Sequence, residues 1–192
     1  NQNMIGDKVI ETSKTTPDCL ELNMLLSDMV KEKVNFVVME VSSHSLYLDR
    51  VAEIDFKVGA ISNVTQDHLD YHGTIEEYKK CKKELFYHCE KAVFNNDDEA
   101  SSYMMDGIKA PFSTYSINKA SDYKAENVEL FSDRVEYDLN GQKVVFHIPG
   151  GFSVYNSLTA ISVVNNLGYA LEDVIKVAFN AKSVSGRVEV LK

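Results

Sequence analysis

The chain has 192 residues, of which 44% are hydrophobic and 26% are charged, and this is the composition of one ordinary globular domain. Its formal net charge of −9 argues against a nucleic-acid binder, because such proteins hold phosphates with clustered lysine and arginine. No apolar run reaches the roughly 20 residues that a membrane-spanning helix needs, so we expect no membrane insertion. The three cysteines form no CxxC pair, which favours a reducing cytoplasm over a disulfide framework or a zinc knuckle.

The first helix is predicted by a start signal and a hydrophobic stripe. A short strand, residues 8–11, precedes it, and Thr16 followed by Pro17 is typical of an N-cap and a first helical position. Apolar residues then recur at the spacing of one helix face. We expect this stripe to face the core: Leu22, Leu25, Leu26, Met29 and Val30.

An almost unbroken apolar run, residues 36–41, comes after this helix. Such a run is typical of a strand that is buried on both faces of a parallel sheet. Glu40 interrupts it, and an ionised carboxylate is rarely left inside a buried strand without a partner. The polar residues Ser42, Ser43 and His44 follow directly, so we expect a polar site at the end of this strand.

Residues 63–86 are the stretch richest in candidate site residues. They follow a predicted strand, residues 56–64, and lead into a helix whose start is marked by Thr74 with Glu77 three positions later, a capping box. A further strand is expected at residues 91–94. The alternation of strands and helices predicts an α/β fold with a mostly parallel sheet flanked by helices.

Shorter β-type runs begin near residue 112 and predict a small antiparallel subregion, residues 112–148. Within it, Asn140-Gly141 between two apolar runs is the sequence signal of a hairpin turn. The PGG sequence at 149–151 then precedes a helix that ends at Gly168, and a last helix is expected at residues 171–181. The core-facing residues of the first of these helices are predicted to be Ala160, Val163, Val164 and Leu167.

Four groups of residues could carry chemistry. They are Glu40 with Ser42, Ser43 and His44; Asn63 with Asp67 and His68; Lys82; and Asn156. Glu40 and His68 are expected at the C-terminal ends of parallel strands, so they can converge on a magnesium ion, although structural hydrogen bonds would also explain them. Lys82 lies among Lys79, Lys80 and Lys83, as it would on a solvated basic helix face. The GxSxG sequence of a hydrolase and the GxxxxGK[ST] phosphate loop are both absent from these 192 residues.

Six sequence blocks in this order resemble the central domain of the Mur ligases, and among these the UDP-N-acetylmuramoyl-tripeptide synthetases. The blocks are TTP at 15–17, VVMEVSSHSL at 37–46, ISNVTQDHLDYHGT at 61–74, YKKCKKELF at 78–86, PGGFSVYNSLTA at 149–160 and SGRVEV at 185–190. Together they extend over nearly the whole chain. The resemblance implies a P-loop NTPase-like central domain, residues 1–192, of a cytoplasmic, monomeric, ATP-dependent ligase of peptidoglycan synthesis.

The resemblance also implies roles for single residues. Contacts to UDP-N-acetylmuramoyl-dipeptide are implied for Thr15, Thr16, Ser42 and Arg50. Glu40 and His68 resemble the ligands of Mg²⁺, and Lys82, four residues after Tyr78, resembles a lysine that is carbamylated. Asn156 resembles an asparagine on the adenine side of ATP, and Arg187 an arginine near the nucleotide phosphates.

The sequence also departs from the family's pattern. Ser153 stands where asparagine is usual, and Cys81 where alanine is common before the lysine. Because the phosphate loop and the flanking domains are missing, we expect a piece of a larger enzyme that is inactive alone. Which amino acid is added, lysine or diaminopimelate, stays open. A related folylpolyglutamate or cyanophycin synthetase-like ligase, or a non-catalytic binding module on the same fold, remains an alternative.

Overall fold

A computed structural model describes residues 2–64 and 73–183 of the chain. These residues divide into two compact units, one of residues 2–55 with 73–88 and one of residues 56–64 with 89–183. None of the helices in the described ranges is long and apolar enough to cross a membrane. The sequence expectations for His68 and Arg187 fall outside the described residues.

The first unit contains a small antiparallel hairpin and three short helices. Its elements are β1 (Gln2–Ile5), β2 (Lys8–Glu11), α1 (Cys19–Lys31), α2 (Ser43–Tyr47) and α3 (Ile75–Lys83), followed by a 3₁₀ turn, Glu84–His88. The predicted strand at residues 8–11 is therefore confirmed as β2, which pairs with β1. Only part of the α1 stripe is buried: Leu22 and Leu25 lie in the core, whereas Val30 is 76% exposed.

The predicted start of α1 was wrong by two residues. Asp18, not Thr16, is the N-cap, and Cys19 is the first helical residue. Thr16 is instead 1% exposed, and its hydroxyl bonds to a different segment of the unit. A buried tertiary hydrogen bond has thus replaced the local capping bond that the sequence pattern indicated.

The prediction of a buried strand at residues 36–41 was also wrong. These residues form no regular strand, and Val38 is 97% exposed. Glu40 is exposed as well, so its charge is not buried as we expected. A strand needs a neighbour for its backbone N–H and C=O groups, and no strand pairs with this run within the described ranges. An apolar run indicates that a segment is suited to burial, but burial also requires a neighbouring segment, which the run does not reveal.

Thr74 is confirmed as the N-cap of α3, and this cap supports a stability prediction. The Thr74 hydroxyl accepts a hydrogen bond from the Glu77 N–H at 3.2 Å. Thr74→Ala should lower the free energy of unfolding by about 1 kcal/mol, because an N–H at the helix start loses its partner. Thr74→Ser keeps the hydroxyl and should stay close to wild type in urea unfolding. Equal losses in the two variants would contradict a capping role.

The second unit is a six-stranded mixed sheet with helices packed against it. Its strands, in spatial and chain order, are β3 (Phe56–Ile61), β4 (Cys89–Asn95), β5 (Phe112–Ser116), β6 (Tyr123–Leu130), β7 (Val135–Leu139) and β8 (Gln142–Phe146). Strands β3, β4, β5 and β6 run parallel to one another, and β7 pairs antiparallel with both β6 and β8. The α/β class and the mostly parallel sheet are therefore confirmed.

The predicted antiparallel subregion, residues 112–148, begins too early in the chain, because it includes β5. β5 pairs in parallel with both of its neighbours, so antiparallel pairing begins only at β6. The hairpin turn at Asn140-Gly141 is confirmed, since both residues have positive φ angles of 50° and 76° and join β7 to β8. The short runs near residue 112 looked antiparallel because the helix between β4 and β5 is only five residues long, α4 (Ser101–Met105).

The long helix α5 (Phe152–Asn166) packs against this sheet, and α6 (Leu171–Ala178) follows it. The predicted core face of α5 was partly wrong: Val163 and Val164 are partly buried against the core, but Ala160 is exposed and Leu167 is 37% exposed. The buried face instead carries Val154, Leu158 and Ile161. Its small residues Ser153 and Ser157 are also fully buried, so serines with internal hydrogen bonds fill positions that a hydrophobicity pattern assigns to the surface.

Candidate functional site

Thr16 is the centre of the best-defined polar network of the first unit. Its Oγ1 donates to the Glu40 carbonyl oxygen at 2.9 Å and accepts from the Ser42 N–H at 3.0 Å. Ser42 is the N-cap of α2, where its Oγ accepts from the Ser45 N–H at 3.2 Å. Two of the candidate substrate residues, Thr16 and Ser42, are therefore in direct contact, and Thr16 also fixes the backbone of the candidate metal ligand Glu40.

Arg50 joins the same network from the loop after α2. Its side chain is only 18% exposed, its Nη1 donates to the Thr16 carbonyl oxygen at 3.2 Å, and its Nε lies 3.3 Å from an oxygen of Asp18. A hydrogen bond from Lys14, with the charge of Arg50 adding to it, holds the pKa of Asp18 below its ordinary value. Thr15, in contrast, is exposed. Thr16 itself is buried, whereas Ser42 and Arg50 are partly exposed around it, and a hydroxyl with a guanidinium can bind an anionic or polar ligand.

The helix that carries Lys82 is fixed beside the start of α2. The buried thiol of Cys81 donates to the Ser43 carbonyl oxygen at 3.0 Å, and Ser43 follows directly after Ser42. The Lys82 Nζ lies 5.0 Å from the centre of the Tyr78 ring, one turn earlier in α3. The departure from the usual alanine at Cys81 thus has a structural consequence, since its thiol links α3 to α2.

The donor chemistry of Glu40 and Lys82 fits a magnesium ion. The Glu40 carboxylate is exposed and has no hydrogen bond or ion pair to any other described residue, so its oxygens are available to a cation. Lys82 would add oxygen ligands only as a carbamate, because an ammonium group repels a metal ion. In the ranges 2–64 and 73–183, no group of three or more histidine, cysteine, aspartate and glutamate residues could hold a metal.

The three cysteines differ in reactivity for a physical reason. Burial raises the pKa of the Cys81 thiol, and it raises the pKa of Cys89 from its ordinary 9.0 to about 12. Cys19 is exposed. We expect Ellman's reagent to modify only Cys19 rapidly in the folded chain, because the thiolate is the reactive form. Since the raised pKa favours the protonated folded state, the contribution of Cys89 to stability should be complete below pH 9.0 and lost as the pH rises towards 12.

The expected difference in thiol reactivity can be checked by counting thiols. One fast thiol should react in buffer at neutral pH and all three in denaturant. A Cys19→Ser variant should show no fast thiol. Rapid reaction of that variant in the folded state would show that Cys81 or Cys89 is more accessible than its burial indicates.

Asn156 lies in the second unit, on the second turn of α5. Its side chain is exposed and makes no hydrogen bond to another described residue, so its amide can donate to and accept from a ligand. The residue before it, Tyr155, donates its hydroxyl to Asp97 at 3.0 Å. Sequence reasoning missed Asp97. The signal that could have found it is the run of four polar residues, NNDD at 95–98, where β4 ends.

Comparison with known proteins decides the family. Residues 2–164 match the Mur ligase middle domain family. The chain belongs to the Mur ligase family. The resemblance found in the sequence is thereby confirmed, and the described fold is that of a Mur ligase middle domain.

Individual Mur ligases are similar over nearly the whole chain. The chain is 43% identical over 193 residues to UDP-N-acetylmuramoyl-L-alanyl-D-glutamate–2,6-diaminopimelate ligase 1 of Clostridium acetobutylicum, and it covers 40% of that relative. It is 45% identical over 193 residues to the ligase with the same substrates in its name from Caldanaerobacter subterraneus subsp. tengcongensis, again covering 40% of the relative. The alignments include 98% of this chain in both cases. The chain therefore spans two fifths of the length of these curated relatives.

Solved structures of Mur ligases are also similar to this chain. A structure of a UDP-N-acetylmuramoyl-L-alanyl-D-glutamate–2,6-diaminopimelate ligase matches with a TM-score of 0.84 and 28% identity, over 93% of this chain and 39% of that one. A Mur ligase of another type, MurF from Thermotoga maritima in complex with ADP, shares the fold with a TM-score of 0.59 and 19% identity, over 77% of this chain and 35% of that one.

Proposed function

We propose that this chain is the ATP-using middle domain of a ligase that adds the third amino acid to UDP-N-acetylmuramoyl-L-alanyl-D-glutamate in peptidoglycan synthesis. The amino acid is 2,6-diaminopimelate in this proposal, because curated relatives that are 36–45% identical to this chain carry it in their names. The full-length enzyme is proposed to be monomeric. A cytoplasmic location belongs to the same proposal, and the three free cysteines agree with it.

The hydrogen-bond network of the first unit supports a specific site for the muramoyl peptide. The candidate substrate residues Thr16, Ser42 and Arg50 are joined by direct hydrogen bonds, and the same network holds the backbone of Glu40. Thr15 lies exposed beside them. A partly buried cation with neighbouring hydroxyls is suited to the carboxylates and phosphates of a UDP-muramoyl peptide. In this proposal Ser42, Arg50 and Thr15 contact the substrate, and the buried Thr16 holds Ser42 and Arg50 in place.

The proposed reaction uses ATP to activate a carboxylate. An oxygen of the D-glutamyl carboxylate attacks the γ-phosphorus, the bond to the β-phosphate oxygen breaks, and an acyl phosphate and ADP result. The amino group of the incoming amino acid then attacks the acyl carbon, loses a proton, and displaces inorganic phosphate as the amide forms. The protein contributes chiefly by positioning these groups and by stabilising the developing charge on the phosphate oxygens.

Glu40, His68 and Lys82 are proposed as the ligands of Mg²⁺. The ion would neutralise negative charge that accumulates on the phosphate oxygens, a contribution that the net charge of −9 of this chain does not supply. Lys82 first forms a carbamate: its neutral amine attacks carbon dioxide, an N–C bond forms as one C=O π bond opens onto oxygen, and the nitrogen loses a proton to solvent. That step replaces a cation by an anionic oxygen ligand. ATP itself is proposed to contact Asn156 on the adenine side and Arg187 near its phosphates.

Two other functions make different predictions. A folylpolyglutamate or cyanophycin synthetase-like ligase would hydrolyse ATP with a different carboxylate substrate. A non-catalytic module of the same fold would bind neither nucleotide nor muramoyl peptide. No contact in the described ranges favours either one over the muramoyl peptide ligase.

The test is ATP turnover by the full-length protein that contains this chain. We expect ADP release only when UDP-N-acetylmuramoyl-L-alanyl-D-glutamate, Mg²⁺ and 2,6-diaminopimelate are all present. Turnover with lysine in place of diaminopimelate would correct the amino acid and keep the reaction. Turnover with a pteroylglutamate or a cyanophycin primer, but not with the muramoyl dipeptide, would replace the proposal. No binding of either substrate in calorimetry would favour the non-catalytic module.

A further inference from the structure

The segment 95–98 at the end of β4 connects three other segments of the second unit. Its two asparagines donate from Nδ2, Asn95 to the Ser62 carbonyl oxygen at 2.8 Å and Asn96 to the Ala120 carbonyl oxygen at 2.9 Å. Its two aspartates accept at Oδ2, Asp97 from the Tyr155 hydroxyl at 3.0 Å and Asp98 from the Val64 N–H at 3.1 Å. We call these four residues the 95–98 hub. It ties the loop after β3 and the loop after β5 to the first turns of α5.

Asp97 makes the most contacts in the hub. Its Oδ2 accepts from the backbone N–H groups of Ile117 at 2.7 Å and Asn118 at 3.0 Å, in addition to the Tyr155 hydroxyl. Partial burial alone would raise the pKa of Asp97, but the hydrogen bonds from Ile117, Asn118 and Tyr155 hold it below its ordinary value. The carboxylate is therefore a charged acceptor that stays in place, and charged acceptors make the stronger hydrogen bonds.

The start of helix α5 has no side-chain cap. Its N-cap is Gly151, which offers no side chain to bond the first N–H groups, and the glycine before it has a φ of 95°. The opposite end of α5 is held by a separate contact, from the Tyr123 hydroxyl to Asn165 at 2.6 Å. Tyr155 and Asn156 are consecutive in α5, so a bond that fixes the Tyr155 side chain also limits rotation of the turn that presents Asn156.

We propose that Asp97 is a positioning residue for nucleotide binding, and that it acts through Tyr155 to fix the turn of α5 that presents Asn156. This role rests on the proposed function, because it requires that Asn156 contacts ATP. Asp97 itself need not touch the nucleotide. Its carboxylate fixes the position of Asn156 through Tyr155. Loss of the carboxylate therefore weakens ATP binding more than it slows the chemical step at saturating ATP.

The test compares two tyrosines that each bond one end of α5. In the full-length ligase, Tyr155→Phe removes the hydroxyl that donates to Asp97 and accepts from Asn118 at 3.5 Å. Tyr123→Phe removes the hydroxyl that donates to Asn165 and accepts from Asn166 at 3.3 Å. We expect Tyr155→Phe to raise the KM for ATP and the Kd for ADP by about fivefold, the equivalent of one hydrogen bond, while kcat changes less than about twofold. Tyr123→Phe should leave the KM for ATP and the Kd for ADP at the wild-type values.

Three outcomes separate the possibilities. Wild-type KM and Kd in Tyr155→Phe would overturn the positioning role, and so would an equal rise in Tyr123→Phe, because that would reflect general weakening of α5. Asp97→Asn, which keeps the side-chain size, should reproduce the rise seen in Tyr155→Phe, and the double variant should add little to it. If the wild-type ligase binds no ADP and turns over no ATP, the proposed function itself is wrong, and this role falls with it.

Discussion

Replacement of Lys82 by alanine in the full-length ligase should lower the rate of amide formation by about a thousandfold, since losing one charge-stabilising group of an active site costs about 3–4 kcal/mol of transition-state energy. The effect is expected because the proposed carbamate supplies negatively charged oxygen that alanine cannot replace. ATP and muramoyl dipeptide should still bind, so the loss should fall on kcat. The measurement is ADP release under saturating substrates.

Chemical rescue makes this test specific for the carbamate. Formate or acetate offers a carboxylate that can enter the space left by the Lys82 side chain, and we expect it to restore part of the activity of Lys82→Ala. Lys80, on the same helix, is exposed and is the matched control. Lys80→Ala should keep wild-type activity and show no response to formate. Full activity of Lys82→Ala without formate would refute the role, and a loss without rescue would leave Lys82 as an ammonium group that packs over Tyr78.

The contrast between the two units shows what sequence patterns can determine. In the second unit the strands, the hairpin at Asn140-Gly141 and the α/β class could be predicted, because each depends on local signals that the sheet then reinforces. In the first unit the run at residues 36–41 satisfied the pattern of a buried strand but has no pairing partner among the described residues. Burial depends on what lies next to a segment, and hydrophobicity alone does not reveal it.

In the candidate site, too, some features could be predicted from the sequence and others could not. The residue types of Thr16, Ser42 and Arg50 could be predicted from the resemblance, but their direct contacts could not, since Thr16 was expected to cap α1. Hydroxyl groups have several local and distant partners of similar strength, and the choice between them depends on tertiary packing. The hub residue Asp97 was missed for the same reason. Its importance lies in bonds to Ile117 and Tyr155, which are distant in the chain.

Thr16→Val should combine a loss of stability with a loss of substrate binding. Valine has nearly the shape of threonine, but it leaves the Glu40 carbonyl oxygen and the Ser42 N–H without the partner they share in a position that is 1% exposed. Because unpaired buried polar groups are costly, we expect the free energy of unfolding in urea to fall by about 2–3 kcal/mol. The KM for the muramoyl dipeptide should rise as well, since Ser42 and the backbone of Glu40 lose their common anchor.

Thr15→Val provides the control that separates these two effects. Thr15 is exposed, so the same chemical change there should alter the free energy of unfolding by less than about 0.5 kcal/mol. Its proposed substrate contact predicts a higher KM for the dipeptide at unchanged stability. An unchanged unfolding midpoint in Thr16→Val would show that water replaces the lost hydroxyl and that the network is not a structural anchor. A higher KM in Thr16→Val with unchanged stability would show that Thr16 acts only as a substrate contact. A lower stability with unchanged KM would show that Thr16 does not contribute to substrate binding.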